Sequence, residues 1–237
     1  MEAYVLIVPV RQIDCDCESR MKLGDLIRYT QQASTEQCIS MGLTNEVYEQ
    51  NHVGFLLAKT SVEMHGAIYA EDILTIRTEA NPAVRAVYNR YTEVFNKKNE
   101  LVATVDSRWV LVNTQTKRIL RQAPEGMNLD FGSAVLPQHN VDIPKTEVQP
   151  IDKVRASFSK CDLNRHLNNT YYVDLICDTF PISYMIEKPI KKVVLNYHSE
   201  ILMGSVLEIY RGEISKDNYY ILGSQEGKKH FEARVQF

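Results

Sequence analysis

The 237 residues contain no uninterrupted apolar run that reaches the roughly 18 a membrane-spanning helix needs. Residues 1–10 are a short apolar stretch without a basic leader, so neither a signal peptide nor a membrane anchor is expected there. Charge of one sign is also scarce. A net charge of −3 supplies no general attraction to nucleic acid or anionic lipid, so neither is an expected partner. Cysteines number five, at Cys15, Cys17, Cys38, Cys161 and Cys177, and their spacing matches neither a disulfide framework nor a zinc site. Cys15-Asp16-Cys17 has no second pair or nearby histidine to complete a metal shell. Free thiols in a cytoplasmic protein without metal or cofactor are therefore expected. At 44% hydrophobic and 24% charged residues the composition is that of an ordinary globular chain, with room for one large domain or two small ones.

What is present is a pattern that occurs twice. Residues 4–13 are apolar and β-branched, a strand that breaks into a polar turn at 14–20. Leu23, Leu26, Ile27, Thr30, Ala33, Ser34, Cys38 and Met41 then recur at helical spacing up to Gly42. Strands are expected at 55–65, 72–80, 84–96 and 101–113, with Asn81-Pro82 and Lys97-Lys98-Asn99 as turns of an antiparallel meander. From 122 to 150 the chain is punctuated by proline and glycine without periodicity, which reads as a linker running extended over the surface. A strand at 151–158, a polar turn at 159–168 and a helix carrying Tyr172, Leu175, Ile176, Thr179 and Phe180 follow. Strands at 191–198, 206–213, 219–224 and 230–237 complete the second round.

Short matches in the same order support a duplication: Leu23-Gly24-Asp25-Leu26 with Tyr172-Val173-Asp174-Leu175, Met64-His65 with Tyr197-His198, and Lys97-Lys98 with Lys228-Lys229. The expected class is α+β, each unit an antiparallel sheet wrapped around a helix, with the two sheets joined. The units are 1–121 and 151–237, separated by the 122–150 linker.

Chemistry concentrates in Asp162-Leu163-Asn164-Arg165-His166-Leu167-Asn168-Asn169. If that segment is extended, Asp162, Asn164 and His166 project to one side and converge, and Asn168 or Asn169 caps a helix whose first amides can polarise a carbonyl. The same residues read equally as an Asx-rich turn with its cap. Composition does not decide between the two.

The run Asp162-x-Asn164-x-His166-x-Asn168-Asn169-x-x-Tyr172 resembles the active-site loop of the hotdog-fold acyl-acyl carrier protein thioesterases, known from plants and bacteria. Leu195-Asn196-Tyr197-His198-Ser199-Glu200 resembles that family's second motif, a tyrosine three residues before a catalytic glutamate. The resemblance covers nearly the whole chain. It implies a tandem hotdog fold, hydrolysis of acyl thioesters that ends fatty acid synthesis, acyl carrier protein as partner, and an acyl chain held in the first unit. It also implies roles: Glu200 as base for water, Asn164 and His166 holding the water and the carbonyl, Asp162 orienting its neighbours. The choice between Glu200 and His166 as base stays open. Where plant members often carry a cysteine after the glutamate, Ile201 stands here, which favours direct attack by water. The 1–10 segment has neither the transit peptide nor the anchor of plant members, so a bacterial cytosolic version is expected.

From the residues alone Glu200 could be a surface glutamate at a strand end, sharing the more polar face with Val194, Asn196 and His198. Cys161, beside Asp162 and five positions from His166, invites a nucleophile hypothesis, but strand alternation should turn it away from the loop's polar side. Lys117, Arg118 and Arg121, or Lys191 and Lys192, are candidates for the acidic carrier. Alternatives are an acyl-CoA thioesterase of the same fold, a hotdog 3-hydroxyacyl dehydratase using Asp174 or Asp178 as helix acid, and a non-catalytic acyl-binding module.

Overall fold

The computed structural model describes residues 3–132 and 135–237; the first two positions of the 1–10 stretch and two positions of the linker lie outside the described residues. Ten strands form one antiparallel sheet in the order β1-β3-β4-β5-β2-β7-β10-β9-β8-β6. They are β1 (Tyr4–Pro9), β2 (Val53–Met64), β3 (Ile73–Ala80), β4 (Val87–Phe95), β5 (Leu101–Asn113), β6 (Gln149–Arg155), β7 (Lys192–Tyr197), β8 (Val206–Ser215), β9 (Asn218–Gln225) and β10 (Lys228–Gln236). Each half of that order reads the same outward from the middle, where β2 and β7 pair through Thr60↔Leu195 and Val62↔Val193. The joint lets one sheet wrap both long apolar helix faces. The fold is a double hotdog.

Helix α1 (Leu23–Ser40) buries Leu26, Ile27 and Ala33 against the sheet, as its spacing predicts, and stops before Gly42 at φ +82. The second helix is shorter than its stripe suggests. It ends as α3 (Tyr171–Cys177), where Thr179 Oγ1 turns back to the Ile176 carbonyl at 2.7 Å and Pro181 ends the helical path. Phe180 still reaches the core from the loop. Two short helices escape the periodicity argument, α2 (Asn45–Gln50) and α4 (Ile182–Glu187), because neither buries a residue and so neither carries an apolar stripe.

The expected first strand is cut short. β1 ends at Pro9, and residues Gln12–Asp14 form a 3-10 turn in which Asp14 Oδ2 accepts the Arg11 N–H at 2.8 Å. A second 3-10 turn, Phe158–Lys160, follows β6 in the corresponding place and shortens the expected 151–158 strand in the same way.

Part of the linker lies on the outer face of the sheet and is pinned there by buried His139. Its ring contacts Ser61 Oγ and Thr104 Oγ1, each at 3.0 Å, and its N–H donates to Asp106 Oδ2 at 2.9 Å. This cover explains why β5 is buried on both faces from Val102 to Ser107 instead of alternating. Further on the linker crosses β8 at Gly212, where an added Cβ would lie 2.0 Å from the Glu147 carbonyl. Only glycine fits beneath it.

Candidate active site

The loop after β6 is a tight turn rather than an extended run. Arg165 sits at φ +60 and donates to the Asp162 carbonyl at 3.0 Å, while the Asp162 N–H donates to the His166 carbonyl at 2.8 Å. The Asp162 carboxylate faces inward and accepts the Asn164 N–H at 2.9 Å and the His166 N–H at 3.3 Å. The expected projection of Asp162, Asn164 and His166 to one side therefore does not occur. Asp162 shapes the backbone, Asn164 is exposed at the tip, and His166 is carried to the far side. The segment is an Asx turn, and that turn sets the direction of the His166 imidazole.

Glu200 comes to meet it. β7 ends at Tyr197, so alternation does not run on to 200, and the next residues are held by His230 at the start of β10. The His230 carbonyl accepts the His198 and Ser199 N–H groups at 2.8 and 3.1 Å, and its Nδ1 donates to the Glu200 carbonyl at 3.0 Å. The Leu167 N–H then donates to the Ile201 carbonyl at 2.8 Å, which stitches the two segments together. Ile201 is sealed in the core, and Glu200 on its other side reaches His166, with Oε2 to Nε2 at 3.4 Å. The histidine side chain is 17% exposed and the glutamate 45%. A carboxylate beside an imidazole, both reached by solvent, can take a proton from a water.

Behind the pair, Tyr197 donates to the Asn169 carbonyl at 3.1 Å and packs edge-on to Tyr172, fixing the start of α3. Asn168 Oδ1 accepts from the Thr170 N–H at 3.0 Å in the turn ahead of α3, whose N-cap is Thr170 with no capping side chain, so neither Asn168 nor Asn169 is the expected N-cap. Asn169 Oδ1 instead accepts from Gln31 Nε2 of α1 at 2.9 Å. With only seven residues, α3 lends little dipole to a carbonyl, which weakens the expected helix contribution. His230 and Gln31 escape sequence reasoning, since the strand register and the helix crossing that bring them to the loop are not visible in local patterns.

The first unit carries the same loop in altered form. The isolated bridges Cys15↔Met21 and Arg20↔Tyr69 correspond to Cys161↔Leu167 and His166↔Leu202. Ser19, like Arg165, sits at φ +60, and Asp16, like Asp162, accepts two N–H groups, both at 2.9 Å. The Met21 N–H donates to the Ile68 carbonyl at 2.8 Å, the counterpart of Leu167 and Ile201. Arg20 therefore stands where His166 stands, and Ala67 where Glu200 stands. Arg20 reaches across to the Met185 and Ile186 carbonyls of α4 at 3.0 and 3.3 Å, a tie rather than a reactive group.

A cavity of about 250 Å³ lies in the first unit. Along α1 it is lined by Gln31, Ser34, Thr35, Cys38 and Ile39, and across from the helix by Phe55, Tyr88, Trp109 and Phe131. Of the helical stripe, Ser34 and Cys38 line it, as does Phe55 of β2, whereas Leu26, Ile27 and Ala33, with Val62 of β2, belong to the main core. Since Gln31 holds Asn169, one end of the cavity abuts the loop.

The remaining candidates lie elsewhere. Cys161 packs against the core, and desolvation together with the adjacent Asp162 carboxylate raises its thiol above the ordinary value. Asp174 rests on Gly24 and lies 3.8 Å from Arg28; burial raises its carboxyl while Arg28 opposes the rise, and no ion pair or hydrogen bond joins it to His166 among the described residues. Lys192 is held by Glu63 at 2.6 Å and is not free for a carrier. Among the described residues no group of three or more His, Cys, Asp or Glu is placed to hold a metal ion, and no helix is long and apolar enough to cross a membrane.

Comparison with known proteins bears on both units. The family model for the acyl-ACP thioesterase N-terminal domain matches residues 3–129, and that for the C-terminal domain matches residues 143–237. The dodecanoyl-[acyl-carrier-protein] hydrolase of Cinnamomum camphora is 30% identical over 47% of this chain and 32% of its own length. An acyl-[acyl-carrier-protein] hydrolase of Cuphea viscosissima is 20% identical over 84% of this chain and 51% of its own. The chain thus spans about a third to a half of the length of these curated relatives. Among solved structures, an acyl-ACP thioesterase from Bacteroides thetaiotaomicron superposes with a TM-score of 0.87 at 19% identity, covering 99% of this chain and 97% of that one. The 12:0-ACP thioesterase from Umbellularia californica gives 0.81 at 17% identity, covering 99% and 96%. These two likenesses speak for the double hotdog alone. With the two domain models matched in order along the chain, over the halves that the sheet joins at β2 and β7, this protein belongs to the acyl-ACP thioesterase family.

Proposed function

We propose that the protein hydrolyses fatty acyl chains carried on acyl carrier protein, releasing free fatty acid and so ending fatty acid synthesis. The observation that carries this reading is the 3.4 Å approach of His166 Nε2 and Glu200 Oε2. Glu200 takes a proton from a water that His166 holds, and Asn164, at the exposed tip of the turn, stays outside this step. The water oxygen bonds to the acyl carbonyl carbon, the carbon–sulfur bond breaks, and the carrier thiol leaves with the proton. Asp162 keeps the turn in shape. Residues 151–237 are the catalytic unit, residues 1–121 hold the acyl chain in their cavity, and residues 122–150 strap the two together.

The carrier is acidic and needs cations near the mouth. Lys117, Arg118, Arg121 and Lys191 are exposed and suit it, unlike Lys192. Five free cysteines suit the reducing cytoplasm.

The test is to incubate the purified protein with carrier-bound and CoA-bound acyl chains of graded length and to quantify released thiol and fatty acid. Thiol and acid in equal amounts, faster from the carrier, are expected. Faster release from CoA would reassign the substrate, and an enoyl absorbance from 3-hydroxyacyl chains without thiol would replace hydrolysis by dehydration.

A further inference from the structure

Arg90 of β4 is 5% exposed and forms part of the wall of the first-unit cavity. Its Nη1 donates to Gln37 Oε1 at 2.5 Å and Thr78 Oγ1 at 3.1 Å, its Nη2 lies 4.0 Å from Cys38 Sγ, and its guanidinium stands 6.0 Å from the Phe131 ring. All of these are neutral groups. No carboxylate pairs with Arg90 among the described residues, whereas the more exposed Arg20, Arg28, Arg77 and Arg108 each pair with one. Sealing a guanidinium in an apolar wall without an anion is costly, and the two neutral acceptors on Nη1 leave Nε without a hydrogen-bond acceptor among the described residues.

We propose that Arg90 reads a neutral oxygen substituent, a hydroxyl or an oxo group, partway along the acyl chain. The inference rests on the hydrolase reading above and names its substrate class. Position along the cavity decides the kind of oxygen. Gln31, at the loop end, and Gln37, which touches Arg90, lie on one helix, about 9 Å apart at 1.5 Å per residue. Past Arg90 the lining turns to Leu43, Tyr48, Phe55, Tyr88 and Phe131, where the rings pack edge to face. That end suits a methyl terminus. A chain ending in a carboxylate at Arg90 would leave the aromatic end empty, and a longer one would bury its charge there. A plain alkyl chain would lay methylenes against the guanidinium and add no acceptor to Gln37 and Thr78, which both meet Nη1.

The test compares three carrier-bound chains of equal length: unsubstituted, substituted by hydroxyl or oxo at successive mid-chain carbons, and terminated by a carboxylate. The wild-type protein is expected to prefer one mid-chain position over the plain chain by about tenfold to a hundredfold in kcat/KM, the value of a hydrogen bond to a charged donor. Arg90→Met is expected to erase that preference while still hydrolysing the plain chain. Equal or faster turnover of the plain chain by the wild type overturns the proposal and leaves Arg90 as a tie between α1 and β3. Preference for the terminal carboxylate overturns it in favour of an anion site. If no chain releases thiol, the hydrolase reading fails by itself. Calorimetric binding of the free hydroxy acid against the plain acid then tests Arg90 separately, with equal affinities counting against it. The wild-type comparison stands even where Arg90→Met does not fold.

Discussion

Arg20 and His166 occupy the same position in two turns of the same shape, but Arg20 pairs with Asp16 of its own turn at 3.3 Å, whereas His166 meets Glu200 from another segment at 3.4 Å. The chain thus contains an internal control for its own site. Arg20→Ala should remove hydrogen bonds to the Met185 and Ile186 carbonyls and cost about 1 to 2 kcal/mol of stability, with kcat unchanged. Denaturant melts and steady-state rates on the same preparation check this. A large loss of kcat at unchanged stability would show that the first loop takes part in the chemistry.

Glu200→Ala should reduce turnover by about a hundredfold to ten-thousandfold, the usual contribution of a general base. Its side chain is 45% exposed and its one ion pair among the described residues is with His166, so the melting temperature should hardly move. Retained acyl carrier protein binding, measured by calorimetry, would separate a lost base from a lost fold.

Asp162 acts through an acceptor oxygen, which asparagine can supply and alanine cannot. Asp162→Asn should keep most of the activity, whereas Asp162→Ala should lose roughly a hundredfold as the imidazole shifts. Equal rates for both variants would mean that the turn holds itself.

Cys161→Ser should keep most activity, and no acyl-enzyme should accumulate, because the thiol is raised above its ordinary value and packed against the core. Mass spectrometry after a quench during turnover reads the outcome. An acyl adduct located at Cys161 would replace direct attack by water with covalent catalysis.

Burial holds His139 below its ordinary value of 6.5, opposed by Glu63 and Asp106 and assisted by Lys192 and His65. The folded protein therefore binds fewer protons at this ring than the unfolded chain does below pH 6.5. Its contribution to stability should be complete above that pH and fall as the pH drops through it. His139→Ala should cost about 1 to 3 kcal/mol at neutral pH and flatten this slope. Melts across the range check both, and an unchanged slope would assign the acid sensitivity to other groups.

Much of this architecture is written in local pattern. The 3.6-residue stripe from Leu23 and the apolar positions from Leu101 each give an element close to its true bounds, because each packs a face against the same core, even though the linker also covers the outer face of β5 from Val102 to Ser107. The match of Met64-His65 to Tyr197-His198 even contains the joint, since the same offset relates the halves of the β2–β7 ladder. What stays hidden depends on register. Asp162 and His166 can be recognised as candidates, but whether they point together depends on one left-handed residue, Arg165. His230 is tied to Glu200 by strand pairing alone, and His139 by a linker whose path carries no periodicity. Arg90 looks in sequence like any strand arginine.

The continuous sheet has a further effect through symmetry. In a hotdog pair made of two identical chains, every substitution is written at both sites, so a residue that improves one function must be tolerated in the other. Here β2 and β7 belong to one chain, and each half can change alone. That independence is what allows Arg90 to sit in a cavity wall on one side while His166 and Glu200 face each other on the other. On the proposed function each molecule would have a single direction, with the acyl chain entering from the loop and lying along α1, and no mirror-image path would compete for it.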